Sequence, residues 1–395
     1  VDAVSPTAAD GLLSEAELRS LVQRLCALPR VAGSAAEHRA ASLIVDELEA
    51  LGCTPAVEAT RVHGTYWWPV GLPLAAAVAA GLRGGVAGAA AGALAGALVA
   101  DDLSVGRRPL RRLLPGRETN NVLAEFGDAG AERVLLLTAH YDAPHTGLVF
   151  HPELPRMILR RLPERALARA EMPPTMWGAV AGPLALAAGS LLGSRRLRQL
   201  GLVVSAGYAA AMLDVGLSAV VPGANDNASG VAALLSLARW LSADPPSGVR
   251  VLLLFTGSEE SILEGMAAWA RRNLSRLPAA GTKVICLDTV GSPQLLLLEG
   301  EGFLRLYEYD EQWRAFLGAC AAEAGIRLAR GVRFRFATDG QITQRAGYAT
   351  AMVGSADALG LPTDYHWKTD TPERLHYGTV AEAARLCRRA VERLA

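Results

Sequence analysis

Five short segments of the 395-residue chain concentrate imidazole and carboxylate side chains. They are His140-Tyr141-Asp142, the run Gly223-Ala224-Asn225-Asp226-Asn227-Ala228-Ser229-Gly230, the pair Glu259-Glu260, Asp288, and Tyr365-His366. Singly they carry little. A lone His or Asp after a strand is commonly a cap, Asp226 could N-cap the helix after it, and Glu-Glu is a common solvated pair. As a set they point to a cation, because such groups would repel one another with no lysine near them in sequence. Nitrogen and oxygen ligands of this kind suit zinc, with manganese or cobalt as alternatives in a carboxylate-rich site.

A sheet would bring these segments together. His140 ends the apolar run VLLLTA, Glu259 follows VLLLFTGS, and Asp288 ends KVICL. Ligands of open α/β sheets gather beyond the carboxyl ends of the strands, which is where all three residues fall. Strands are expected at 56–62, 121–126, 134–139, 249–256, 283–287 and 349–354, with 121–126 and 134–139 joined as a hairpin through Gly127-Asp128-Ala129-Gly130. Between them lie helical patterns. Ser14 and Glu17 form a capping box ahead of the first helix. A second helix at 36–51 carries Leu43, Ile44, Leu48 and Leu51, a third spans 230–241, and another closes the chain after Val380. Continuous apolar strands alternating with helices predict an α/β fold with a mixed, mostly parallel sheet covered on both faces.

Two stretches break this pattern. Residues 67–100 hold one charge, Arg83, between two apolar runs of about 17 residues, each spanning about 25 Å as a helix. In the second run Gly84, Gly88, Gly92 and Gly96 recur every fourth residue, a small-residue face that lets helices approach closely in lipid. A second apolar pair, 176–193 and 200–221, is split by Ser194-Arg195-Arg196-Leu197-Arg198-Gln199. Trp67, Trp68 and Trp177 stand near the ends of these runs, where interfacial aromatics are favoured. Asp214, inside the last run, is expected to face a partner helix or the interface. The bland alternative for 67–100 is a low-complexity Ala/Gly helix pair packed on a soluble core. The expected division is 12–64, 118–147 and 222–395 for the catalytic domain and 65–103 for the first apolar, transmembrane hairpin. Residues 148–221 form a basic linker and the second hairpin. Because the first insertion enters before one central strand and the second leaves after His140, both hairpins should emerge at the active-site end of the sheet.

Composition agrees with an apolar, non-nucleic-acid-binding chain. Lys plus Arg and Asp plus Glu are 39 each, and 51% of residues are hydrophobic. The five cysteines form no C-x-x-C pair, so neither a thiolate metal site nor a disulfide framework is expected, and Cys286 reads as a buried small hydrophobe. No charged-then-apolar leader opens the chain, so a signal peptide is either absent or precedes residue 1.

The ordered set of motifs resembles the co-catalytic zinc aminopeptidases of metallopeptidase family 28 and their glutamate-carboxypeptidase-II-like relatives. The resemblance rests on His140/Asp142, the run from Gly223 to Gly230, Glu259/Glu260, Asp288, and His366 before Thr369-Asp370-Thr371, with Pro29-Arg30 and Gly33-Ser34 near the start. It covers 12–394 once both apolar insertions are removed, and implies the three-layer α-β-α zinc-exopeptidase (phosphorylase/hydrolase-like) fold. It also implies two Zn2+ ions: Asp226 bridging, His140 and Asp288 completing one site, Glu260 and His366 the other. Glu259 would be the general base for a metal-bridged water, and Asp142 would orient His140. The implied activity is removal of N-terminal residues from peptides with a free N-terminus. Two departures stand out. Ser261-Ile262-Leu263-Glu264-Gly265 replaces the family's Gly-Leu and Gly-Ser, and Gly340 follows Asp339 where the family commonly has His. Of the remaining histidines only His145 lies near the site in sequence; His38, His63, His151 and His376 match no motif. Alternatives are a one-zinc glutaminyl-peptide cyclotransferase on the same fold and a catalytically inactive receptor-like or scaffold module. The expected location is integral to a membrane, in a bacterial cell. Arg83 and the Arg195/Arg196/Arg198 loop compete with the 107–117 and 156–169 arginines, which tip the positive-inside count toward a cytoplasmic catalytic domain. Residue specificity and oligomeric state are not legible.

Overall fold

The computed structural model describes residues 11–159, 174–329 and 331–395. Arg160, Arg161, Arg165 and Arg169 of the basic stretch lie outside them. The chain opens with α1 (Glu15–Cys26) and α2 (Ala35–Ala50), then β1 (Ala56–Val62). Ser14 and Glu17 cap α1 reciprocally, as their spacing predicts. The helices α3 (Trp67–Arg83) and α4 (Gly85–Leu103) come next, followed by β2 (Arg117–Gly127) and β3 (Val134–His140). After α5 (Trp177–Leu191) and α6 (Arg195–Leu217) the chain runs through α7 (Ser229–Ala243), β4 (Arg250–Thr256), α8 (Glu264–Asn273) and β5 (Thr282–Leu287). It ends with β6 (Gln294–Leu297), α9 (Glu311–Glu323), α10 (Gly340–Arg345), β7 (Ala349–Ala356) and α11 (Tyr377–Leu394).

The seven strands form one mixed sheet in the order β1-β2-β4-β3-β5-β7-β6. The central strands β4, β3, β5 and β7 are parallel, while β2 and β6 run against them. The expected hairpin between β2 and β3 does not form. β4 lies between them, antiparallel to β2 and parallel to β3. Its VLLLF run is buried on both faces, which suits an interior position better than an edge. Since β2 still runs opposite to β3, the start of one and the end of the other share one side of the sheet.

Strand alternation divides the core. Leu135, Leu137, Val251, Leu253 and Phe255 point into the cluster shared with α1, α2, α7, α9 and α11. Leu136, Leu252 and Leu254 point the other way, onto Met266 and Trp269 of α8. The result is the α-β-α layering that the periodicity implies.

The two apolar hairpins pack together as one four-helix bundle in which α3 and α5 each touch both α4 and α6. The glycine stripe of α4 lies against α5 and the tip of α3. A Cβ at Gly92 would come within 2.6 Å of the Pro183 carbonyl and 3.0 Å of the Ala187 amide, both backbone. Both hairpin tips lie together, with the Arg198 guanidinium against Gly84. Outside, large apolar side chains face outward, including Leu82, Val86, Leu94, Leu191, Val203 and Leu217. By length and composition α4 and α6 could each cross a membrane. The bundle base rests on loops beyond the sheet: Trp67, Val70, Val99, Leu103 and Val215 form one cluster with Ile262, Leu263 and Ala337. Asp214 sits at this base and accepts the Leu148 amide at 2.6 Å, so its charge is spent on a chain crossing rather than left among apolar neighbours.

Because the atoms facing Gly92 are backbone and cannot rotate away, Gly92→Leu should lower stability by the upper end of about 1–3 kcal/mol. Gly207→Leu, where nothing lies within 4 Å, should leave it unchanged. Denaturant unfolding of the two variants in detergent compares them.

Candidate metal centre

Parallel neighbours bring three of the sequence segments to one rim. β3 lies between β4 and β5, and His140 pairs in register with Thr256. Strands stand about 4.8 Å apart, so Glu259-Glu260 and Asp288, just past the flanking strands, fall on either side of His140. Asp226 arrives from the loop before α7 and His366 from the segment after β7. All five expected ligand residues therefore meet in one place.

Asp226 stands between the two imidazoles. Its Oδ1 is 3.1 Å from His140 Nε2 and its Oδ2 is 3.2 Å from His366 Nε2. Asp288 approaches His140 Nε2 at 3.6 Å, and Glu260 approaches His366 Nε2 at 3.3 Å. Two three-residue groups, His140/Asp226/Asp288 and Asp226/Glu260/His366, share Asp226. Ligand bonds of about 2.0–2.2 Å at tetrahedral angles put neighbouring ligand atoms about 3.3–3.6 Å apart. The observed separations lie in that range or just under it. Glu260 Oε1 is buried and has no hydrogen-bond partner among the described residues. An acceptor left without a donor, amid nitrogen and oxygen atoms at these spacings, fits a divalent cation such as zinc.

Electrostatics point the same way. Burial pushes Glu259 and Glu260 well above the usual carboxylate range, and neighbouring carboxylates push them further. Burial likewise raises Asp288 to about 7. Burial alone would lower His140, but the Asp142 and Asp226 carboxylates beside its two ring nitrogens outweigh it and hold the imidazole well above its ordinary value. Asp226 is the exception among the acids: burial would raise it, yet the two histidines hold it below the usual range. Added positive charge would relieve the other carboxylates, which is how a bound cation inverts local pKa logic.

Asp142 occupies the position behind the ligands. It lies 3.3 Å from His140 Nδ1 and accepts the backbone amides of Glu259 and Glu260 at 3.0 and 2.9 Å. One carboxylate thus touches both the imidazole and the backbone of the acidic pair.

Several supporting residues carry no role in the sequence reading. Arg30, fully buried, donates to the carbonyls of Leu25, Tyr141, Pro222 and Gly223. Asp370 accepts the amides of Asn225 and Asp226. Asn227 binds the Leu287 carbonyl and the Thr289 amide on either side of Asp288. Glu37 accepts the amides of Gly33 and Ser258, and burial raises it to about 8. Its signal was present in the sequence: residue 37 shares the helical stripe of Ala41, Ile44 and Leu48, an apolar face on which a carboxylate is out of place. Arg30 and Asp370 lie inside the quoted motifs, but nothing in their spacing specifies backbone partners so distant in sequence.

His145 is not in the cluster. Its ring packs on Trp67 with centroids 4.6 Å apart, and Nδ1 meets the Ser218 carbonyl at 2.8 Å. Asp339 is buried and takes a hydrogen bond from Thr256; at Gly340 a Cβ would come within 2.7 Å of the Tyr309 hydroxyl, so Tyr309 fills the space a histidine there would need. The walls near His366 are aromatic. Tyr365 stacks on it at 4.0 Å, Phe150 lies at 4.5 Å, and Phe336 stacks on Tyr365.

A buried carboxylate–histidine centre at the carboxyl ends of a mixed α/β sheet defines the zinc-exopeptidase type of fold. Among solved structures, the Zn-dependent exopeptidase from Parabacteroides distasonis shares it at TM-score 0.56 and 14% identity, over 98% of this chain and 99% of that one. Bacteroides thetaiotaomicron glutaminyl cyclase bound to N-acetylhistamine matches at 0.58 and 14%, over 96% and 98%. The aminopeptidase from Aneurinibacillus sp. strain AM-1 matches at 0.57 and 16%, over 97% and 94%. At such identities the likeness is one of fold. No curated protein matches the sequence. Residues 202–391, a little under half of the chain, match the sequence model of peptidase family M28.

Replacing Asp142 with Asn keeps its shape but turns an amide toward one of the groups it accepts from. Zinc affinity should fall by about 10–100-fold, the usual effect of losing a ligand-orienting partner. Competition against a chelator measures it, and an unchanged affinity would show that Asp142 does not orient the ligands.

Proposed function

We propose that the chain is a zinc-dependent exopeptidase of the aminopeptidase type, working with two metal ions and held in a membrane by its four-helix bundle. The observation that carries the reading is Asp226, whose two oxygens each face a different histidine. His140 and Asp288 would hold one ion with Asp226, and Glu260 and His366 the other. Bound divalent ions in such a site supply Lewis acidity, lowering the pKa of a water and polarising a peptide carbonyl. The chain's own contribution is positioning and proton transfer. Glu259, ionised when cations occupy the site and made a stronger base by its burial, would take the proton of the attacking water and return it to the leaving amine. A substrate α-amine would be drawn to the carboxylate-rich rim, which favours cutting at a free N-terminus.

A second reading has support in the glutaminyl cyclase neighbours, and in the aromatic walls around Tyr365. His140 beside Asp226 and Asp288, a second group able to hold an ion, is what supports the two-ion peptidase.

Membrane anchoring rests on charge placement. Between Arg83 and the tip arginines at one end and Asp101, Asp102 and Asp214 at the other, the four helices carry no charged residue, and their outer surface is apolar. Trp68 and Trp177, both partly exposed, sit at the base. With the base on the catalytic mouth, the natural substrates are apolar or membrane-proximal peptides. A chain that stays in solution without detergent would overturn this part.

The activity is tested with purified protein on aminoacyl amides and on peptides beginning with glutamine. Release of free amino acids supports the peptidase, and pyroglutamate formation with no hydrolysis supports the cyclase. Glu259→Gln should retain metal and lose about 100- to 10,000-fold in kcat.

A further inference from the structure

A buried chain of charges joins the bundle to the loop that carries Glu259 and Glu260. Arg111 forks onto Asp102 at the end of α4, with Nε and Nη2 at 2.8 and 2.7 Å from the two carboxylate oxygens. Its Nη1 donates to the Ser261 carbonyl at 2.6 Å and stands 2.9 Å from Glu264. Glu264 in turn accepts the amides of His63 and Gly64, where the chain leaves β1 for the bundle. One guanidinium therefore ties the entry and the exit of the first hairpin to the residue after Glu260.

The loop needs such a hold. Ser258, Ile262 and Leu263 have φ of +55°, +64° and +59°. A β-branched residue in the left-handed region is costly and persists only where its surroundings over-determine it. Here they do: Ile262 and Leu263 are buried among Trp67, Val70, Val99 and Leu103 of the bundle. The segment that departs from the family pattern, Ser261 to Gly265, is thus the segment that meets the inserted helices. Glu37 and Asp142 hold the same loop from the sheet side.

We propose that Arg111 is a positioning residue for Glu259 and Glu260, so that the bundle forms part of the active site as well as an anchor. A full guanidinium fork is required because three acceptors on two segments, Asp102 on one and Ser261 and Glu264 on the other, converge on it. The inference rests on the two-ion reading for its metal readout only.

The test uses the full chain in detergent, comparing wild type with Arg111→Gln and with Asp102→Asn, which is isosteric and leaves the loop itself untouched. Hydrogen exchange at residues 258–263 should quicken in both while β4 stays protected. The weaker of two bound zinc ions should be lost about 10–100-fold more readily, and kcat should fall with KM unchanged. If Arg111→Gln does not fold, Asp102→Asn carries the same readouts. Wild-type exchange at 258–263 and wild-type zinc affinity in a folded variant would overturn the proposal. A wild-type chain holding fewer than two ions would overturn the two-ion reading instead, and the exchange of 258–263 would still decide this one.

Discussion

Carboxylates buried side by side repel, and at this rim the repulsion is concentrated. Asp142, Asp226, Glu259, Glu260, Asp288 and Asp339 crowd around His140, and Asp370 stands behind Asp226. The side chains are buried, so screening is weak and each charge costs more than it would at the surface. Protonation of the acids or added positive charge within the cluster relieves it. The two histidines stand on opposite oxygens of Asp226. Most of the unusual hydrogen bonding nearby serves to keep these groups from moving apart. Arg30 ties the end of β3 to the Gly223 loop, and Asn227 ties that loop to the end of β5. Asp142 fixes the acidic pair beside His140.

The inserted helices impose a second constraint on the same rim. A bundle seated over the mouth must be joined to it without exposing the polar loop beneath. The chain meets that need with Ile262 and Leu263 pressed into the bundle base and with the buried Asp102–Arg111–Glu264 contacts. Segment 147–151 is bound on both sides, with Leu148 on Asp214 of α6 and Phe150 against His366. The bundle and the carboxylate–histidine rim are therefore continuous. The carboxylate–histidine centre lies beside a bundle whose outer residues are apolar.

Much of this was legible along the chain because the signals are local. The VLLLTA, VLLLFT and KVICL runs mark buried strands, and polar residues come directly after each, so the strand ends are visible without coordinates. The capping box at Ser14, the apolar hairpins and the glycine stripe of α4 are local in the same sense. Lateral order was not. β2 and β3 succeed one another through a turn-like Gly-Asp-Ala-Gly, yet β4, more than a hundred residues later, lies between them. That choice depends on burial of both faces, which no short window expresses. The glycine stripe announced a close approach but not its partner in the other hairpin. Arg30, directly after a proline, carries no local sign of burial, because its acceptors are mostly distant carbonyls. Glu37 could have been found as the carboxylate on an apolar stripe. The Ser261 to Gly265 departure was visible as a difference, and its reason emerges only when the bundle base is seen beside it.

The sharing of Asp226 between two cation sites is the central claim, and zinc content per chain tests it most directly. Wild-type protein should hold two ions, and Asp226→Ala, folded by its circular dichroism, should hold neither tightly, since both sites lose the same carboxylate. A wild-type chain with a single ion, or an Asp226→Ala variant that keeps two, would contradict the bridged centre.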